Sequence, residues 1–320
     1  MMNKYSFGVD IGGTSIKIGF FQKEGKLLHK WEIPTRTKDQ GQWILEDLSD
    51  AIFKELDERN LSISDVEGVG VGVPGPILSG GTVNGCINLG WGIKNVKQEL
   101  SSLLDDIPVY VGNDANVAAL GEYWIGGGKG FKDVVMVTLG TGVGGGVILN
   151  GKIISGYHGA GGEIGHIHVE DQEMEPCNCG NKGCLEQYAS ASGIVKKAKL
   201  LLIERSIPSV LRGLEKITCK DIFDAAKTGD AIARETIEFM GEKLGLALSF
   251  ISTTIDPEVF VIGGGVSKAG QIVIDTIQKH YKKTAFHSTQ DTHFKLAVLE
   301  NDAGMYGAMK MVMDQKIIKS

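Results

Sequence analysis

Apolar residues recur along this chain in two periods. Over Trp43–Arg59 they return every four residues, at Ile44, Leu48, Ile52 and Leu56, the spacing of an amphipathic helix. Elsewhere they come in short β-branched runs bounded by glycine, which predicts strands. Tyr5–Ile11 and Ile16–Phe21 flank a glycine turn, and Leu27–Ile33 follows as the third strand of a β-meander. Val66–Val73 is a further strand ended by Pro74-Gly75-Pro76, and a helix near Val96–Leu104 with the short strand Val109–Val111 completes one α/β unit. Asp114–Ile125 predicts a helix capped by Asn113 or Asp114. The pattern then repeats, because Val134–Leu139 and Val143–Leu149 form a second hairpin with glycine at its turn. A long polar loop, Gly156–Glu186, leads into helical segments through Ser252 and a buried strand, Val259–Ile262. The helix Gln271–Lys283, a strand Phe294–Leu299 and a terminal helix from about Ala303 close the chain.

Composition narrows the class. A length of 320 residues suits two domains, and no segment has linker composition, so they share a tight hinge. The net charge of −6 argues against a nucleic-acid surface. No apolar run approaches the roughly 20 residues of a membrane span, and no secretory signal is visible. Five cysteines, three of them crowded between Cys177 and Cys184, do not resemble a secreted disulfide framework, so a cytoplasmic protein is expected. Glycine is the outlier, at 45 residues, about twice ordinary usage.

Those glycines cluster where chemistry is plausible. Asp10-Ile11-Gly12-Gly13-Thr14 lies between two strands, where bare backbone N–H groups suit phosphate oxygens and Thr14 adds a hydroxyl. Asp10, at a strand end, is placed to hold Mg²⁺ through water. Leu139–Gly146 offers the same chemistry from the second hairpin, with Thr141 and Gly142 at its turn. Gly263-Gly264-Gly265 follows a strand and precedes a helix, so that a nucleotide lies against bare backbone. Any one cluster alone reads equally well as a tight turn without a ligand. Three of them, two at equivalent places in repeated hairpins, point to related domains facing each other across a nucleotide.

Cys177, Cys179 and Cys184 fall within eight residues. Three thiolates need a fourth ligand to complete a tetrahedral Zn²⁺ site, and His166 or His168 is close upstream. Asp114 read by itself is a helix cap, Glu163 and Glu186 by themselves a solvated loop face, and Lys17 a surface charge outside any site.

Together these segments resemble the phosphate and adenosine motifs of the actin-like ATPase and sugar kinase superfamily. Within it, Gly162-Glu163-Ile164-Gly165-His166, the cysteine cluster and Glu186 resemble the signature of the ROK family (repressors, open reading frames and kinases), and the likeness spans nearly the whole chain. It implies an α/β fold of two actin-like, ribonuclease H-like domains facing each other across a cleft. Residues 1–115 with the helix 303–320 would form the small domain, and 116–302 the large one. It implies ATP and Mg²⁺ beside Asp10, Gly12, Gly13, Thr14, Thr141, Gly142, Gly264 and Gly265. It makes Asp114 the general base, with Gly75, Asn113, Asp114, Glu163, His166 and Glu186 around a sugar. It also selects His166 as the fourth zinc ligand, touching the sugar with its other nitrogen, and implies a homodimer or homotetramer.

The motifs look most like those of bacterial glucokinases of this family, so phosphorylation of glucose is expected. An N-acetylmannosamine, fructose or β-glucoside kinase is the same-class alternative. A sugar-sensing repressor is disfavoured because only four residues precede the first strand, with no room for a helix-turn-helix. An actin-type structural ATPase is disfavoured by the cysteine loop and its flanking carboxylates.

Overall fold

The computed structural model describes residues 4–319. Its first half holds β1 (Tyr5–Ile11), β2 (Ser15–Gln22), β3 (Lys26–Pro34), α1 (Ile44–Glu58), β4 (Val66–Val73), β5 (Ile77–Leu78), β6 (Thr82–Cys86), β7 (Trp91–Asn95), α2 (Val96–Leu103) and β8 (Val109–Asn113). The second half follows with α3 (Asp114–Ile125), β9 (Val134–Leu139), β10 (Val143–Leu149), β11 (Lys152–Ile153), α4 (Glu186–Ala189), α5 (Ala191–Glu204), α6 (Cys219–Lys227), α7 (Ala231–Ile255), β12 (Val259–Gly263), α8 (Gln271–Thr284), β13 (His293–Leu296) and α9 (Ala303–Lys319). Among the described residues, no helix is long and apolar enough to cross a membrane.

Two five-stranded sheets carry the molecule, ordered β3-β2-β1-β4-β8 and β11-β10-β9-β12-β13. They repeat one plan. In each, an antiparallel hairpin (β1–β2 or β9–β10) is joined through its first strand to two parallel strands. The fold is therefore the α/β, actin-like arrangement expected, and each sheet has its own hydrophobic core. The four-residue stripe of α1 is buried in the first core, at Ile44, Leu48, Ile52 and Leu56.

Strand β4 shows how the alternation is used. Val69, Val71 and Val73 are fully buried on one face, while on the other Gly70 faces α9 and Gly72 faces Val117 of α3. A Cβ on Gly70 would lie 1.9 Å from the Ala308 carbonyl oxygen, so the terminal helix rests directly on the strand backbone.

Three differences from the sequence reading have local causes. The last strand ends at Leu296 rather than Leu299, because the fully buried carboxylate of Glu122 draws the chain out of the sheet. It accepts from the backbone N–H groups of Val298 (3.1 Å), Leu299 (2.7 Å) and Gly127 (2.7 Å). The small sheet β5-β6-β7 has no counterpart in the sequence reading, since β5 is only two residues long. Finally, of the two cap candidates Asn113 is the one used, accepting from the Asn116 N–H at 3.1 Å, so Asp114 is not the cap its isolated reading made it.

Candidate active site

Strand β8 runs directly into α3, and that junction aims two side chains into a cavity of about 520 Å³. The Asn113 amide is almost wholly engaged by the protein. Its Oδ1 caps the helix, while Nδ2 donates to the Gly75 carbonyl (3.1 Å) and to Asp114 Oδ1 (3.1 Å). Gly75, with φ of 97°, turns the backbone so that this carbonyl reaches the amide. Asp114 Oδ1 also accepts from the Ala115 N–H at 2.8 Å, which leaves Oδ2 without a side-chain partner among the described residues. Burial raises the Asp114 pKa above the usual carboxylate range, against these hydrogen bonds. Gly75, Asn88, Glu163 and Glu186 line the same cavity, so it gathers the predicted substrate residues except His166.

Thr138 and Gly264 join this cavity to a second of about 530 Å³. There Asp10, Gly264 and Gly265 meet as expected, together with Lys17, Lys268 and Gly304. Lys17, set aside in the sequence reading, sits opposite Asp10 in the β1–β2 ladder. Burial pushes the Asp10 carboxyl up to about 6; the Lys17 charge opposes this, and Asp114 and Glu32 add to it. Gly265 and Lys268 connect onward to an apolar slot of about 280 Å³ walled by Ala191, Phe223, Val266 and Ala269. The three spaces form one trench, polar at the Asp114 end and apolar at the other.

The two hairpin turns are less open than their glycines suggest. The Gly12 N–H closes on the Ser15 carbonyl (3.0 Å) and the Gly140 N–H on that of Gly142 (2.9 Å). The turn donors left without a partner among the described residues are those of Gly13, Thr14, Thr141 and Gly142. Gly12, Gly13 and Thr14 do not line the trench, and Thr141 borders a smaller pocket beside Cys177. A Cβ on Gly142 would stand 2.3 Å from Glu186 Oε2, so a side chain there would displace this carboxylate.

His166, Cys177, Cys179 and Cys184 present four ligand atoms within 4.8 Å of one another. Cys179 Sγ lies 3.6 Å from Cys184 Sγ, and Cys177 Sγ lies 3.8 Å from His166 Nδ1. Bonds of about 2.3 Å to a central ion give tetrahedral edges of about 3.8 Å, so the set fits Zn²⁺. His168 turns away, to the Lys182 carbonyl (2.9 Å) and Asp171 (2.8 Å).

Residues 6–315 match the profile of the ROK family. The chain belongs to the ROK family. A glucokinase of Halalkalibacterium halodurans is 41% identical to this ROK protein, over 99% of the chain and 97% of the relative. The structure of a ROK family glucokinase from Streptomyces griseus in complex with glucose and AMPPNP matches with a TM-score of 0.72 and 32% identity, over 97% of this chain and 99% of that one. A xylose repressor of Caldicellulosiruptor bescii is 29% identical over 97% of this ROK protein and 78% of its own length.

Proposed function

We infer that this ROK protein is an ATP-dependent hexose kinase that converts glucose to glucose 6-phosphate. The observation that carries the reading is the placement of Asp114, with one carboxylate oxygen lacking a side-chain partner among the described residues, where a sugar-sized polar cavity opens into the trench holding Asp10, Lys17 and Gly264. Glucokinase relatives identical at 41% and 33% over nearly the whole chain support it.

In this reading the described residues up to 115 together with α9 form one lobe, 116–302 the other, and the trench lies between them. The sugar occupies the polar end, where Glu163 and Glu186 accept from ring hydroxyls, a pairing that reads stereochemistry. Asn113, with both amide hydrogens engaged, has only the second lone pair of Oδ1 to offer a hydroxyl. Asp114 takes the proton of the attacking hydroxyl through Oδ2, and its burial makes it a stronger base than a solvated aspartate. ATP lies along the trench with adenine in the apolar slot and phosphates toward Lys17 and the free N–H of Gly142, the one unpartnered turn donor that lines it among the described residues. Mg²⁺, held through water by Asp10, supplies charge neutralisation at the phosphates. Lys17 adds a fixed positive charge, and Asn113 holds the base in line with the acceptor. His166, Cys177, Cys179 and Cys184 would hold Zn²⁺, which would brace the loop that carries Glu163 and Glu186, and with Nδ1 toward the cluster the His166 Nε2 is left for the sugar.

The test is ADP release on glucose, N-acetylmannosamine, fructose and a β-glucoside, by wild type and Asp114→Asn. Glucose turnover by wild type is expected, with kcat falling roughly 10²–10⁴-fold in the variant while glucose affinity stays within a few-fold. Turnover of none of these sugars removes the kinase reading, and a variant as active as wild type removes Asp114 as base.

A further inference from the structure

Asn116, two residues beyond the base, is 4% exposed and lies under the loop that presents Glu163. Its Nδ2 reaches the Gly161 carbonyl at 3.4 Å, a long contact at the edge of hydrogen bonding. Because a carbonyl accepts only from the Nδ2 end, this contact fixes the amide's orientation and turns Oδ1 toward Gly162. There Oδ1 is buried without a partner among the described residues. The adjacent Gly162 N–H likewise has none, whereas the Gly161 and Glu163 N–H groups bond to Ser155 and Ala160. A buried acceptor left unmet is costly.

The loop is built for close approach at this point. Gly162 has φ of 93°, and a Cβ on it would lie 2.9 Å from the Gly145 carbonyl oxygen and 3.3 Å from Asn116 Oδ1. At its other end, a Cβ on Gly159 would meet the Ile77 carbonyl oxygen at 2.7 Å. The segment therefore touches strand β10 of one sheet and strand β5 beside the other, across the sugar-sized cavity. Asn116 Oδ1 thus stands against the backbone of Gly162, while Nδ2 already reaches that of Gly161.

We propose that Asn116 is a positioning residue that clasps the Gly161–Gly162 backbone when sugar binds, Nδ2 donating to Gly161 and Oδ1 accepting from Gly162. The clasp rests on the kinase reading and deepens it. The helix that carries Asp114 and the loop that carries Glu163 are drawn into one geometry, so the base and the sugar-reading carboxylate are set together. The sugar's contact with Glu163 supplies the differential affinity that favours the clasped state.

Two measurements test it on the full chain, with glucose as the probe. In wild type, hydrogen exchange at the Gly162 amide slows when glucose is added. In Asn116→Leu, a change of similar size that removes both hydrogen-bonding atoms, the glucose KM rises roughly tenfold while the ATP KM is unchanged, and exchange over 159–163 no longer responds to glucose. A merely structural asparagine would lower Tm without separating the two KM values. Absence of glucose-dependent ADP release in wild type overturns the reading beneath the clasp. Turnover by wild type without added protection at Gly162, or an unchanged glucose KM in a folded Asn116→Leu, overturns the clasp alone. Should Asn116→Leu not fold, the wild-type exchange experiment decides by itself.

Discussion

Replacing Asp10 by asparagine should make the protein more stable and leave it catalytically poor. Burial, only partly offset by Lys17, lifts the Asp10 carboxyl from 3.8 to about 6. A group whose native pKa exceeds its unfolded value holds its proton more tightly in the native state. Its stabilising contribution is full below the unfolded value and is lost as pH rises through the native one. Between pH 4 and 6 the free protein therefore loses stability on this account, and above that range the deficit is constant. Two units of displacement correspond to about 3 kcal/mol at 1.36 kcal/mol per unit, an upper figure because the introduced amide must find hydrogen-bond partners of its own. Urea unfolding without nucleotide or Mg²⁺, at pH 5 and pH 8, measures it. Asp10→Asn should exceed wild type by up to about 3 kcal/mol at pH 8, by less at pH 5, and should lose most of its turnover. Equal stability at pH 8, or a gap that widens toward pH 5, would refute the claim that the fold holds this carboxylate at a cost.

Two further outcomes follow from the same site. Lys17→Met should raise the ATP KM, lower kcat and move the acid limb of the rate profile to higher pH, because the charge opposing the rise at Asp10 is gone; Lys17→Arg should restore the limb, and an unmoved limb in the Met variant would return Lys17 to the role of a surface charge. Metal analysis should find about one zinc per chain, and Cys179→Ser should lose it with a rise in glucose KM; a zinc-free wild type, or an unchanged KM in the variant, would separate the cysteine cluster from the sugar.

What could be read from the sequence followed from how locally each feature is determined. The α1 stripe and both glycine-turn hairpins are short-range patterns, and all three elements stand where the periodicity puts them. The repeated hairpin pointed to two related domains, and the two sheets do repeat one strand order. Lys17 was not legible, because alternation along Ile16-Lys17-Ile18 says only that the lysine leaves the core. That it faces a cavity depends on Gly264 and Lys268, some 250 residues away in sequence. The end of β13 was misread for a similar reason, since the carboxylate that redirects it belongs to Glu122 on a distant helix. Choosing His166 over His168 needed the family likeness, as spacing alone left both open. The clasp at Asn116 lies further still from the sequence, in an acceptor that is notable only because nothing meets it.

Glu186 gives a physical reason for a metal loop beside a phosphoryl-transfer site. Its Oε2 accepts from the Val143 N–H at 2.9 Å, just beyond the second glycine turn, and its Oε1 lies 3.9 Å from Cys177 Sγ. The same side chain lines the cavity proposed for the sugar. One carboxylate thus touches a turn, a cavity and a ligand cluster, and a Cβ on Gly142 would displace it. A loop of this length without regular structure would otherwise place Glu186 loosely, since its ordering entropy must be met by local contacts. A Zn²⁺ bound by Cys177, Cys179, Cys184 and His166 would remove that freedom near Glu163 and near Glu186. On the proposed reading the loop would set Glu163 and Glu186, the β8–α3 junction would hold Asp114, and the Asn116 clasp would couple the two. Loosening the loop should therefore weaken sugar recognition more than it alters the basicity of Asp114.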